Sequence, residues 1–132
     1  MSLEVEVAGL EHAGGALAPP DVQQLCALAL ASAGIEDGHV AVSLVDEEEI
    51  RALNRRHRAR DAPTDVLSFP VDGAGPAPGP RELGDIVICP AHTADLPEAV
   101  VHGALHLAGM DHETDGGEML ALQREILSWT RP

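Results

Sequence analysis

His102-Gly103-Ala104-Leu105-His106-Leu107-Ala108-Gly109-Met110-Asp111-His112 holds three of the chain's seven histidines at a spacing suited to metal coordination. Residues four apart on a helix lie one turn apart on the same face, with about 5–6 Å between Cβ atoms. Two imidazoles placed in this way can reach one ion at about 2.0–2.1 Å. Val100, Val101, Leu105 and Leu107 read as the apolar part of a largely buried helix, which sets His102 and His106 on rigid backbone. Gly109 falls where that helix should end, and glycine takes the left-handed conformation of a helix end without a Cβ clash. The turn brings His112 back towards the same ion. Three neutral nitrogen ligands with an open fourth position describe a catalytic zinc site rather than a closed structural one. The expected cofactor is one Zn²⁺ per chain, with another divalent transition metal as the alternative. A lone histidine on an apolar face is more often a packed residue with a hydrogen-bond partner. Two at helical spacing, then a glycine and a third histidine, do not fit that simpler account.

Outward from this helix, the chain alternates strand and helix signals. Leu3 to Val7 alternates apolar and acidic residues, as a strand with one buried face does. A loop follows, with Gly14, Gly15, Pro19 and Pro20, and then a helix capped by Asp21 with Gln24 at the capping-box position. Val22, Leu25, Cys26 and Ala29 form its apolar face, and Gly34 ends it. His39 to Val45 is a second strand. Asp46 caps the next helix, with Glu49 three residues on, Ile50 and Leu53 inward, and a Glu47–Arg51 pair on its surface. Thr64 to Phe69 and Leu83 to Cys89 are the third and fourth strands, separated by a Gly- and Pro-rich loop over 71–82 containing Pro76, Pro78 and Pro80. Asp85 stands inside the fourth strand, where a carboxylate needs a hydrogen-bond partner. Pro97 fits the first turn of the histidine helix. Asp115 and Glu118 open a last helix with Met119, Leu122, Ile126 and Trp129 on its apolar stripe. The pattern predicts one domain over 1–132, an α+β fold with a four-stranded mixed sheet packed by helices, and the metal near one edge.

Composition bounds the function. At 132 residues with 45% hydrophobic side chains, the chain can form a real core. No apolar run approaches the roughly 20 residues of a membrane span, and no charged-then-apolar leader opens the sequence. A cytoplasmic location is expected, with Cys26 and Cys89 as reduced core residues. The net charge of −14, from 22 acids against 8 arginines and no lysine, opposes a nucleic-acid partner when taken as a sum. Its distribution is less hostile, because Arg51, Arg55, Arg56, Arg58 and Arg60 fall within ten residues. A helix with acids at its start and arginines at its end accounts for Arg51 and Arg55 through the macrodipole. It does not account for Arg58 and Arg60, which are expected in the turn leading to Pro63. Aromatic residues make up only 2%, so Phe69 is the one plausible stacking platform.

His102, His106, Gly109 and His112 stand at the spacings of the extended zincin pattern, H-E-x-x-H followed by a glycine and a third histidine. Position 103 is Gly where those proteases carry a general-base Glu, which demotes a peptidase. The form H-G-x-L-H-L-x-G-x-D-H resembles the YbeY family of bacterial endoribonucleases, which act in ribosomal RNA maturation. The resemblance continues in Asn54-Arg55-Arg56-His57-Arg58-Ala59-Arg60-Asp61-Ala62-Pro63-Thr64-Asp65-Val66-Leu67-Ser68-Phe69-Pro70 and in Leu83-Gly84-Asp85-Ile86-Val87-Ile88. It runs in order from about residue 46 to residue 127. His57 replaces the family's tyrosine, Arg60 its lysine, and the segment between Asp85 and His102 is shorter than in the family.

This resemblance implies zinc-dependent cleavage of single-stranded RNA in small-subunit 3′-end maturation and ribosome quality control. The implied partners are ribosomal RNA, the small ribosomal subunit and a ribosome-associated GTPase. His102, His106 and His112 are the expected metal ligands, and Arg58 the residue that stabilises charge on the phosphate in the transition state. Arg58 and Arg60 would contact RNA, and Asp111 would orient a ligand imidazole or the turn. Two rivals stay open: another metallohydrolase, and a non-catalytic ribosome-assembly factor with a structural metal.

Overall fold

The computed structural model describes residues 3–72 and 81–130. Its elements run β1 (Leu3–Ala8), a 3₁₀ turn (Leu10–Ala13), α1 (Pro19–Ser32), β2 (Gly38–Leu44), α2 (Glu47–Arg58) and β3 (Val66–Pro70). They continue with β4 (Glu82–Ile88), a second 3₁₀ turn (Pro90–His92), α3 (Leu96–Leu107) and α4 (Glu118–Thr130). The strands form one sheet in the order β1-β2-β4-β3. β1 and β4 both lie parallel to β2, while β3 pairs antiparallel with β4 and forms an edge. This is the α+β architecture with a mixed four-stranded sheet that the residue pattern predicts. The Pro76, Pro78 and Pro80 stretch of the expected loop lies outside the described residues.

The sheet is covered unequally. Val40, Val42, Leu83, Ile86 and Ile88 pack on one face with Leu30, Val101 and Leu105, and with Met119 and Ile126. That core joins α1, α3 and α4. On the other face Val87, Leu67 and Cys89 meet Val45 and Ile50, with Leu53 and Phe69 at the margin. Between β2 and β4 the register shifts, so that His39 faces Glu82 but Val40 faces Gly84. Gly84 has φ 136°, and a Cβ there would run into the Phe69 carbonyl oxygen. Only glycine admits β3 at this distance with that backbone.

Several local expectations shift. Pro19 and Pro20 belong to α1 rather than to the loop, with Ala18 as N-cap. A first turn suits proline, because its missing N–H would have no helical partner there. Asp21 therefore sits at the third helical position, where its Oδ2 accepts from Ala18 N at 2.9 Å. Asp46 does cap α2, accepting from Glu49 N at 2.9 Å. α2 continues through Arg58 and ends at Ala59 in the left-handed conformation, φ 57°. Arg58 is thus on the helix, and Arg60 alone of the expected pair lies in the turn. Arg51 pairs with Asp61 instead of Glu47, through Nε–Oδ1 at 2.8 Å and Nη2–Oδ2 at 3.2 Å. That guanidinium holds the Asp61 carboxyl below its ordinary range. Asp85 is exposed on the sheet, so water solvates it and no buried partner is required. On α4 the buried stripe is Met119, Gln123, Ile126 and Leu127, with Trp129 55% exposed. Both cysteines are buried free thiols, and burial pushes Cys26 up to about 12.

His39 ties three strands together. Its Nδ1 lies 2.8 Å from Glu82 Oε2 and its Nε2 lies 3.1 Å from Glu6 Oε1. Both nitrogens can donate only when the ring is protonated. The Glu82 bond first, and the Glu6 bond second, raise its pKa above the ordinary histidine value. A raised histidine stabilises the fold fully below the unfolded value of about 6.5, and that contribution is lost as pH rises through the folded value. His39→Gln should therefore lower the denaturation midpoint at pH 6, by less than about 1 kcal/mol for so exposed a pair. The difference from wild type should shrink by pH 9. Urea titrations at the two pH values check this; a deficit that grows with pH contradicts it.

Candidate metal centre

α3 starts because Asp95 Oδ1 accepts from Glu98 N at 3.0 Å and Pro97 occupies the first turn. Its buried residues include Val100, Val101, Ala104, Leu105 and Leu107, so the helix lies deep against the sheet. His102 and His106 share the face that turns towards β3 and α4. After Leu107 the chain reverses: Gly109 N donates to His106 O at 3.0 Å and Met110 N donates to Leu105 O at 3.1 Å. Gly109 has φ 97°, which a residue with a side chain adopts only under strain. The reversal brings His112 back to the helix. Imidazole nitrogens of His102, His106 and His112, one from each, all lie within 4.8 Å of one another. The ring centroids are 4.8, 5.0 and 5.4 Å apart.

The rings are held from behind. His102 Nδ1–H donates to Gln123 Oε1 at 2.8 Å. His106 Nδ1–H donates to the Met110 carbonyl at 3.0 Å. Both partners are carbonyl oxygens that can only accept, so Nδ1 carries the proton and Nε2 keeps its lone pair. Burial, and then the neighbouring His102, pushes His106 below the ordinary histidine value. It is therefore neutral near pH 7, the form that binds a metal. Three imidazoles, two of them with fixed tautomers, fit a divalent transition metal such as zinc.

The triad opens into a cleft of ≈1130 Å³ between α3, the β3 edge and the end of α2. His57 and Arg58 line it from α2, Ser68 and Phe69 from β3, and His92 from the turn after β4. Ser68 Oγ donates to Gly103 O at 3.2 Å and joins β3 to the metal helix. Position 103 has no room for a base. A Cβ on Gly103 would sit 2.6 Å from Ile86 Cγ2 and 3.3 Å from Ser68 Oγ.

Residues 19–131 match the family described as Endoribonuclease YbeY. The chain belongs to the YbeY family. It is 42% identical to an Endoribonuclease YbeY of Rubrobacter xylanophilus, over 99% of this chain and 98% of that relative. A second such relative, from Stutzerimonas stutzeri, is 41% identical over 87% of this chain and 80% of its own length. A solution structure from Thermotoga maritima aligns with TM-score 0.55 and 28% identity, covering 94% of this chain and 87% of that one.

Set against expectation, this YbeY-family chain brings its three histidines together and places Arg58 in the same cleft. Arg60 is exposed beyond Ala59, and its backbone N donates to Asn54 O at 3.3 Å; its side chain does not line the cleft. Asp111 takes one of its two expected roles, that of the turn. Its Oδ1 accepts from Glu113 N at 3.0 Å and its carbonyl accepts from Thr114 N and Asp115 N, so it holds the turn. The His102 and His106 imidazoles are oriented by Gln123 and Met110 instead. Gln123 escaped the sequence reading, although an amide at an apolar-stripe position of α4 was a visible signal. Asn54 was missed as well: buried on α2, its Nδ2 donates to Ala62 O at 2.8 Å and pins the turn after Arg58.

Gln123→Leu should weaken zinc binding by about 10–100-fold, because His102 loses the acceptor that sets its tautomer. Gln123→Glu, which keeps an acceptor, should retain most of the affinity. Competition with a chromophoric chelator measures both, and wild-type affinity in the leucine variant would remove Gln123 from the site.

Proposed function

We propose that the protein is a zinc-dependent endoribonuclease that cleaves single-stranded RNA phosphodiesters during ribosomal RNA maturation. Its field of action would be the small-subunit 3′ end and ribosome quality control, in the cytoplasm. Ribosomal RNA, the small ribosomal subunit and a ribosome-associated GTPase are the partners this reading entails. The observation that carries it is the juxtaposition of three imidazoles, two of them oriented by hydrogen bonds, and an exposed arginine in one open cleft, in a member of the Endoribonuclease YbeY family. No helix among the described residues is long and apolar enough to cross a membrane.

His102, His106 and His112 would hold the ion through nitrogens left with lone pairs. When bound, such an ion supplies Lewis acidity towards phosphate oxygen and water. Gln123 and the Met110 carbonyl keep two rings from turning, which maintains the donor geometry between turnovers. Arg58 contributes a planar fork of donors that matches two phosphate oxygens, and its charge is permanent. Its place at the end of α2 is secured by Asn54 below it and the left-handed Ala59 after it. Ser68 bonds the β3 edge to α3 and so joins two walls of the cleft. A peptidase reading finds no support at position 103, where a glutamate would have to enter the contact with Ile86.

Arg58→Ala should leave zinc content and fold unchanged and reduce cleavage of a single-stranded RNA by about 10²–10³, the usual cost of one lost transition-state donor. Arg58→Lys should recover only part of that loss, since it restores charge without the bidentate geometry. Cleavage assays on both variants, with metal analysis in parallel, decide the matter. Wild-type rates in Arg58→Ala would exclude the residue from the site, and peptide hydrolysis by the wild-type protein would revive the peptidase.

A further inference from the structure

The cleft beside the histidines is poorly charged for holding phosphates. Asp65, Asp95, Glu98, Asp111 and Glu113 line it, against Arg58 as the only arginine of the lining among the described residues. Arg55 and Arg56 precede Arg58 on the same helix, but neither lines the cleft. RNA binding that rests on the phosphate backbone needs several cations, each releasing counterions. Apart from a bound metal, the described residues of this cleft offer one permanent positive charge. A strand lying here needs a second source of affinity.

Aromatic surface is available at the same place. The chain has one phenylalanine, one tryptophan and no tyrosine. Its buried core is built from aliphatic side chains with Cys and Met. The single phenylalanine stays at the margin of that core: Phe69 sits half-buried on β3 and lines the cleft. Exposed His57, in the last turn of α2, stands against it with ring centroids 4.9 Å apart and planes inclined at 63°. In this edge-to-face arrangement the two rings do not cover each other's flat faces as a stacked pair would. Arg58, next in sequence to His57, lines the same cleft.

We propose that the His57–Phe69 corner is a nucleobase platform, on which one unpaired base stacks while Arg58 takes an adjacent phosphate. The proposal rests on the RNA-cleaving reading given above and supplies its means of holding substrate. Base–aromatic stacking tolerates any base and needs no positive charge, which suits a cleft lined with carboxylates. A base inside a duplex has both faces covered by its neighbours, so the platform accepts unpaired nucleotides. One phosphate contact on a single strand also sets a shallow salt dependence, a slope of about −0.7 in log K against log salt concentration.

The test uses full-length, zinc-loaded protein and a short single-stranded RNA carrying 2-aminopurine, whose fluorescence falls on stacking. Binding of a dye-labelled copy is followed by anisotropy. Wild-type protein should quench the 2-aminopurine signal as it binds, with the shallow salt slope. His57→Leu and Phe69→Leu keep apolar bulk but remove a ring. Each should weaken binding and raise KM by between about 5-fold and about 100-fold, with kcat and zinc content changed far less. His57→Tyr restores a ring and should restore KM. Wild-type KM in both leucine variants, or RNA bound without any 2-aminopurine response, would overturn the platform while cleavage by wild-type protein leaves the nuclease reading standing. A salt slope steeper than about −3 would assign the affinity to several phosphate contacts and overturn it equally. Wild-type protein that neither binds nor cleaves the RNA would overturn the nuclease reading, and the platform with it.

Discussion

Helix α3 approaches the sheet at Gly103 more closely than any residue with a side chain would allow. The Ile86 and Ser68 atoms that a Cβ would meet belong to β4 and to β3, the strand that lines the cleft. Because no side chain intervenes, the Gly103 carbonyl comes within reach of Ser68 Oγ, and the helix is bonded to the sheet edge as well as packed on it. His102 and His106 inherit that position. Interiors packed at crystal-like density transmit displacement instead of absorbing it. A bulkier residue at 103 would therefore tilt α3 and carry two of the three histidines away from His112 and from Gln123. The glycine that deprives the site of a zincin-type base is the same glycine that fixes its geometry.

The metal centre is held by contacts drawn from three separate parts of the chain. The α3 helix supplies two imidazoles, the turn at Gly109 returns the third, and α4 contributes the amide of Gln123. Met110 adds a backbone carbonyl in passing through the turn. Gln123 is buried, which is costly for an amide unless it is hydrogen-bonded. Here the His102 ring satisfies it. The helix that completes the hydrophobic core thereby also sets the tautomer of a ligand, so stability and site geometry share one bond.

Charge is arranged with a similar economy. The acids that dominate the composition are largely on exposed surfaces, and several serve as caps or turn locks: Asp46, Asp95, Asp115 and Glu118 all accept backbone N–H groups. Of the arginine-rich stretch, Arg51 is occupied by Asp61, while Arg55 and Arg56 stay on the outer surface of α2. Arg58 alone reaches the cleft, because α2 extends to it and Ala59 then turns the chain away.

What could be read from the chain alone was whatever depends on neighbours a few residues apart. The i, i+4 spacing of His102 and His106 and the glycine turn before His112 are local geometry, so the triad was legible without a fold. The strand and helix order was legible for the same reason, since period and caps act over one or two turns. Asp46 illustrates it: its cap is made to a residue three positions on. The motif order also sufficed to suggest the family. Other features required the tertiary structure. Arg58 and Arg60 look alike in sequence, and only the end of α2 separates the one in the cleft from the one outside it. Asp85 looked buried because its strand is apolar, but a sheet covered unequally leaves that position in water. Trp129 looked like core and packing left it exposed, while Gln123, to which no role was assigned, is buried against His102. Gly103 read as a missing base, whereas its cause is the closeness of Ile86 from another strand. In each case the deciding contact joins residues far apart in the chain, and such contacts exist only once the helices have been laid on the sheet.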